Sequence, residues 1–263
     1  MTSFTQGAFR PYLFPVFTPA GFAVTSESPA DHPHHHSLWI GADHIHVQMP
    51  AADGRTEEYT YNLYVNENFQ GRAPGRIVET AIDGTELGDD FQVAQRLEWR
   101  GPAEWAAAEG RVLLTEMRLW TFRPGERFHL IDVRSELAAA QWELTLGPTR
   151  HAYFNFRVAE SMQAARGGTI TRGDEAWLDY SGPVGGGKTA GIALMPGAPG
   201  ARWWWFATDW GVVTTGPFRE QARRLRPGET LMLAARYVVH DGNAASVQLG
   251  ELHREFLDTG ERK

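Results

Sequence analysis

Apolar and polar residues alternate along much of this chain with a period of two. Phe91, Val93, Gln95, Leu97 and Trp99 interleave with more polar neighbours, the pattern of a half-buried strand. Residues 112–122 and 128–137 predict two longer strands, joined through Arg123-Pro124-Gly125-Glu126. Pro then Gly at the centre of a turn is a type II signature, and it recurs at Arg226-Pro227-Gly228-Glu229. Residues 12–17 form a strand candidate, with 22–25 as a possible hairpin partner. Residues 38–47 read as a strand or a short apolar segment. Short runs at 141–146, 152–158, 177–180, 191–195, 203–207 and 211–215 follow, separated by turn residues. That spacing predicts antiparallel meanders and excludes a βαβ plan. Two helices are expected, over 218–224 and 245–257; in the second, Val247, Leu249, Leu252 and Phe256 stand at helical spacing. Residues 53–75 are polar and read as a long loop. No composition shift marks a boundary, so residues 1–263 read as one β-sandwich domain.

Composition narrows the chemistry. Hydrophobic residues make up 42% of the 263 and charged residues 22%, enough apolar material for a core. The formal net charge is −7 with no basic block, which argues against a nucleic-acid partner. There is no cysteine, so disulfides, thiolate catalysis and Cys-ligated metals are excluded, and any metal would need His and carboxylate ligands. The N-terminus lacks the basic start and apolar run of a signal peptide. No run of about 18 apolar residues predicts a membrane span. A cytoplasmic location and no membrane partner are expected.

Three constellations could carry chemistry. Asp31 to His46, DHPHHHSLWIGADHIH, holds six of the ten histidines: His32, His34, His35, His36, His44 and His46. Neutral imidazoles can shuttle protons, hydrogen-bond a polar ligand or ligate a metal. Pro33 suits a strand edge, and in an extended chain His32, His34 and His36 would share one face. His44 and His46 would form an H-x-H pair, with Asp31 or Asp43 as a possible third metal ligand. Against this stands a surface loop with a chance run of histidines. The second constellation is Arg150-His151-Ala152-Tyr153-Phe154-Asn155-Phe156, where His151, Tyr153 and Asn155 would share a strand face. It reads as a proton donor or acceptor in an aromatic cleft, or as a satisfied strand histidine. The third is Trp203, Trp204, Trp205, Phe206 and Trp210. Some of these rings could stack on sugar CH faces, and others must be core. Gly182 to Thr189, GPVGGGKT, matches a phosphate-loop pattern. The following AGIALM reads as a strand where such a loop requires a helix, so this is a glycine-rich hairpin.

DHPHHHSLW, GGTI, EAWLDYSGPV, GIAL, TGPF and LRPGETLMLAARYVVHDG together resemble a bacterial family labelled methane oxygenase PmoA-like, over about residues 10–245. Subunits of particulate methane monooxygenase sit in membranes and this chain has no span, so oxygenase chemistry is not carried over. Members usually read DHPHHRG, where this chain has His36 and Ser37 at the last two positions. RHAYFNF is similar to the H-x-Y-F-N-L stretch of galactose mutarotases and related sugar epimerases, whose His protonates the ring oxygen. That resemblance implies an all-β, galactose mutarotase-like β-supersandwich, with a concave sheet lined by histidines and tryptophans. It implies His34 or His35 as the earlier histidine, His151 as the acid and a carboxylate base from a later strand, for which Asp209 and Glu220 are candidates by position, neither within a mutarotase motif. His32, His36, Arg150, Asn155, Trp204 and Trp210 would contact the ligand, a small carbohydrate.

The leading expectation is thus acid–base chemistry on a sugar or keto-sugar derivative, of epimerase, mutarotase or lyase type, with no cofactor. A non-catalytic carbohydrate-binding module and a His-ligated metal enzyme, possibly an oxygenase, are the alternatives.

Overall fold

The computed structural model describes residues 1–51, 53–104, 107–174, 176–197 and 202–260. The described residues build three sheets, and the all-β expectation is met. The largest has eight antiparallel strands: in spatial order Thr169–Gly173, Trp177–Gly185, Lys188–Pro196, Thr230–Asp241, Phe128–Ala139, Val112–Arg123, Asp90–Arg100 and Arg76–Leu87. A six-stranded antiparallel sheet runs Thr2–Gln6, Pro11–Val16, Leu38–Ala42, Ala152–Arg157, Val212–Gly216 and Trp204–Ala207. A five-stranded sheet is formed by Arg223–Leu225, Leu144–Leu146, Ile45–Pro50, Thr56–Asn62 and Ala73–Pro74.

The period-two residues behave as the alternation predicts. Val93, Leu97 and Trp99 are buried together with Trp120, Phe122, Ile131 and Val133 on the inner face of the eight-stranded sheet. Phe154 and Phe156 of the six-stranded sheet pack into the same core, Phe154 against Trp203 and Phe156 against Tyr237. A charged pair is enclosed there. Glu116 and Arg118 stand two apart on one strand, both fully buried, with Glu116 Oε1 2.7 Å from Arg118 Nε. Glu116 also accepts hydrogen bonds from Trp99 Nε1 and Ser135 Oγ, each at 2.7 Å. Tyr153 Oη joins through Ser135 Oγ at 2.7 Å. Tyr153 therefore points into the core and does not share a face with Asn155, because its hydroxyl is taken by this network.

Several local expectations are corrected. Residues 38–47 form two strands in different sheets, broken at Asp43-His44. The polar stretch 53–75 contains the strand Thr56–Asn62, whose Tyr59 and Tyr61 sit opposite Val47 and Ile45. The strand Pro11–Val16 pairs with Thr2–Gln6 and Leu38–Ala42, leaving residues 22–25 isolated bridges from Ala23 to Phe17 and from Thr25 to Val158. No helix covers 218–224, because Arg223–Leu225 pairs with Leu144–Leu146. The C-terminal helix runs Leu249–Gly260, and its Leu249 packs with Leu130, Ala193, Met195 and Val238 on the outer side of the large sheet. At Arg226-Pro227-Gly228-Glu229, Gly228 has φ +87° and Glu229 N donates to Arg226 O, as a type II turn requires. The strands it joins lie in different sheets. Gly125 is not left-handed, and its N–H is taken by His129 Nδ1 at 3.2 Å.

GPVGGGKT closes the hairpin between Trp177–Gly185 and Lys188–Pro196, with Gly185, Gly186 and Gly187 all at positive φ. Lys188→Ala should leave the melting temperature unchanged and ATP binding undetectable before and after; ATP binding lost in the variant would contradict the hairpin assignment. Glu116→Ala should cost about 3–5 kcal/mol in denaturant unfolding, since it strands a buried guanidinium. The double change Glu116→Leu with Arg118→Met should recover most of that loss.

Candidate functional site

The second face of the six-stranded sheet gathers many of the candidate residues. Tyr12, Trp39, Asn155, Thr214 and Phe206 stand directly opposite one another across five strands. Tyr12, Trp39, Tyr64, Val65 and Val212 form a cluster separate from the main core, with Phe206 and Trp210 packed on it. Tyr64 comes from residues 62–65, which cross over the sheet. Asn62 Oδ1 accepts from the backbone N–H of Tyr64 and Val65 at 2.9 and 3.0 Å. Gly41 permits the approach: a Cβ there would lie 2.7 Å from Leu63 O.

The histidine run is a turn, and this corrects the extended reading. His35 N donates to His32 O at 3.0 Å, with Pro33 and His34 at the centre. Proline at the second position of a four-residue turn is preset for it. The turn brings His32 and His35 onto one side, where their rings stack 4.8 Å apart. His32 also stacks on Trp210 at 4.4 Å, and His35 on Trp39 at 5.1 Å. His34 meets the edge of Tyr64 at 5.8 Å. His36 faces elsewhere, stacked on Tyr12 at 4.7 Å and 3.2 Å from Ser28 Oγ.

His151 reaches the same cluster from the loop before Ala152–Arg157. Its ring stacks on Tyr64 at 5.2 Å and meets the edge of Phe206 at 5.4 Å. Its Nδ1 lies 3.1 Å from Asp43 Oδ2, and its Nε2 accepts from Arg150 Nε at 3.2 Å. Those partners assign the tautomer: Nδ1 carries the proton and donates to Asp43, while Nε2 holds the lone pair. Asp43 is buried and further held by Thr149 Oγ1 and by Arg72 Nη1 at 3.4 Å. His34 and His35 thus share Tyr64 with His151, as the sequence led us to expect.

Burial sets the charges here. His34 is pushed down to about 4 by burial and then by the Arg10 charge. His36 falls to about 3 for the same two reasons. His35 is pushed down further, by burial and by its neighbours His34 and His32. All three are neutral at pH 7. Burial pushes the Asp43 carboxyl up, but hydrogen bonds from His151 and Thr149 outweigh it and hold it below the usual range. Burial also lowers Arg10 to about 10, a value at which it still carries its charge at pH 7.

The other expected residues divide. Trp210 lies in the cluster, with the Arg157 guanidinium over its ring at 4.7 Å. Arg150 is exposed over Phe206 at 4.7 Å. Asn155 is fully buried, and its amide donates to the carbonyls of Trp39 and Tyr153, a role in holding the sheet. Trp204 stacks with Arg202 at 4.1 Å, away from the histidines, while Trp203 belongs to the core. Asp209 is exposed, and its carbonyl binds Tyr180 Oη at 2.8 Å; Glu220 is exposed too. Neither carboxylate reaches His151, whose acidic partner is Asp43. In the H-x-H pair, His44 lies 3.4 Å from Arg72, and His46 lies 3.1 Å from Thr60 on the five-stranded sheet. Among the described residues no three His, Asp or Glu side chains are placed to hold a metal. Tyr64, Arg10 and Arg157 went unnoticed in the sequence. Tyr64 sits in a polar stretch, and the two arginines are ordinary surface residues until the sheets enclose them.

A family model described as "Family of unknown function (DUF6807)" matches residues 2–254. The chain belongs to the DUF6807 family. That description carries no activity, and the methane oxygenase PmoA-like label finds no support. No curated protein matches this DUF6807 chain. Among solved structures it is similar to the Slr1438 protein from Synechocystis sp. PCC 6803, at 11% identity and TM-score 0.37, over 77% of this chain and 76% of that one. It is also similar to a galactose mutarotase related enzyme from Lactobacillus acidophilus, at 7% identity and TM-score 0.35, over 93% and 99%. Heparan sulfate lyase HepC from Pedobacter heparinus matches at 9% identity and TM-score 0.32, and the 72% of this chain that aligns spans 30% of the lyase. Among the described residues of the DUF6807 chain, no helix is long and apolar enough to cross a membrane.

The neutral histidines make stability pH-dependent. His34 and His36 have folded values of about 4 and about 3, against 6.5 ordinarily. As pH falls below 6.5 the unfolded chain takes up protons first, so stability is lost on acidification through that window. Asp43, held down from 3.8, adds its loss only below that value. Melting temperature should fall between pH 7.5 and 4.5, and His36→Gln should fall less steeply. Parallel slopes would show that His36 is not among the groups responsible.

Proposed function

We propose that this chain is an acid–base catalyst acting on a sugar or keto-sugar derivative, of the isomerase or epimerase kind. The observation that carries the reading is the His151–Asp43 dyad on the partly exposed face that also bears His34. An imidazole whose Nδ1–H is fixed by a buried carboxylate presents Nε2 as a proton acceptor, and the carboxylate stabilises the imidazolium that forms. His151 is then the base, where the mutarotase resemblance suggested an acid. The dyad fills the place for which Asp209 and Glu220 were considered. His34, neutral at pH 7, supplies a hydrogen bond to a sugar oxygen. The half-buried rings of Trp210 and Phe206 offer apolar faces to sugar CH groups.

The same aromatic surface supports a second reading, a carbohydrate-binding module that uses the rings and no proton transfer. The two part on the following test. Anomerisation and solvent-deuterium incorporation are followed by NMR across a panel of neutral and acidic aldoses and ketoses, with binding measured by calorimetry. On a sugar that reacts, His151→Gln should lower the rate roughly 10²–10⁴-fold and leave binding within a few-fold. Binding without turnover in the wild type, or equal loss of both in the variant, would favour the binding module.

A further inference from the structure

The wall around this site has more buried N–H donors than acceptors. Arg10 is 1% exposed, and its hydrogen bonds all go to neutral oxygens: His34 O at 3.1 Å, Asn66 Oδ1 at 2.9 Å and Val65 O at 3.4 Å. Its Nε is buried without a partner. Arg157 is also 1% exposed; its Nη2 binds Asp31 at 2.9 Å, while its Nε and Nη1 are buried and unpartnered. Trp39 Nε1 is another unpartnered donor. Asn155 Oδ1 is the opposing acceptor, and His35 Nδ1 could serve as either. Buried donors of this kind are normally satisfied.

The charges lean the same way. Arg10, Arg72, Arg150 and Arg157 surround the cluster, facing Glu27 on Tyr12, Asp31 and Asp43. Asp31 takes Arg157 and Asp43 takes Arg72, so Arg10 and Arg150 are left with neutral partners among the described residues. This cationic wall occurs on a chain whose formal net charge is −7.

We propose that the sugar bound here carries a carboxylate, and that Arg150 receives it and in doing so releases His151 Nε2. The inference rests on the acid–base reading of this site and names its substrate class. Arg150 is the reachable cation: it is exposed, its guanidinium carbon lies over the Phe206 ring at 4.7 Å, and its Nε caps the lone pair of His151 at 3.2 Å. A planar carboxylate matches the guanidinium fork and is the stronger acceptor, so the Nε–H turns from imidazole to carboxylate. No covalent bond changes in that exchange. Nε2 is then free to face the ligand, with the buried Arg10 and Arg157 adding a favourable field behind it. A neutral sugar offers no acceptor able to pull Arg150 away, so the base stays capped.

The test compares D-galacturonate, D-glucuronate and D-mannuronate with galactose, glucose and mannose, by calorimetry on the whole chain. At least one uronate should bind roughly ten- to a hundredfold tighter than its parent hexose, the scale of a hydrogen bond to a charged group. Arg150→Gln should bring that pair close to parity while the melting temperature holds. The preference should narrow in 0.5 M salt, because Arg150 is exposed. Uronate binding should also move the His151 Nε2 nitrogen resonance, and the parent hexose should not. Hexoses binding as tightly as uronates, or a preference that survives Arg150→Gln, would overturn this inference and leave the acid–base reading standing. If no hexose and no uronate binds, the carbohydrate reading falls and takes this inference with it.

Discussion

Asp43 holds the site together. It stands where the chain leaves the six-stranded sheet after Ala42 and enters the five-stranded sheet at Ile45, and it is 4% exposed. A carboxylate so enclosed must be satisfied by donors, since burial alone would drive it neutral. Thr149, His151 and Arg72 supply them from two other parts of the chain. The backbone repeats the tie: Asp43 N donates to His151 O at 3.2 Å, and Gly147 N to His44 O at 2.9 Å. Satisfying one buried charge therefore fixes the loop before Ala152, the imidazole orientation and the seam between two sheets. The orientation of the imidazole is thereby set before any ligand arrives.

The histidine turn follows a different logic, in which charge is excluded. Two buried guanidiniums, Arg10 and Arg157, lie behind imidazoles stacked on tryptophan and tyrosine. Protonating any of His34, His35 or His36 would place a cation beside a cation in a poorly hydrated place. The rings are held neutral, and they pack as flat, polarisable surfaces with hydrogen-bonding edges. Burial first, and neighbouring charges next, keep these three rings neutral, while Asp43 orients the ring of His151.

The backbone at the end of the histidine run is held by side-chain and main-chain hydrogen bonds. Ser37 adopts φ +55°, the left-handed region where glycine is at ease and a serine is strained. Its hydroxyl donates to Thr25 Oγ1 at 2.7 Å, and its N–H to Ser26 O at 2.9 Å. These bonds hold a backbone shape that glycine would take without help. His36 fills the space against Tyr12 with its stacked ring.

The sequence by itself determined the class of fold. Period-two alternation at Val93, Leu97 and Trp99 can bury only one face of a strand, and turn residues at short intervals leave little room for helices. The hairpin nature of GPVGGGKT was legible too, since a strand followed where a phosphate site needs a helix. Local composition also pointed to the histidine run and to His151. Tertiary structure decided what those residues could do. That His32 and His35 share a side depends on a turn closed through Pro33 and His34, which alternation along an extended chain could not reveal. That Asp43 is the partner of His151 depends on two strands lying side by side although 108 residues separate the pair. That Tyr153 serves the core, and that Arg10 becomes a buried cation, depends on which sheet covers which face. Charge, burial and proton affinity belong to neighbours in space, and those neighbours come from segments far apart along the chain.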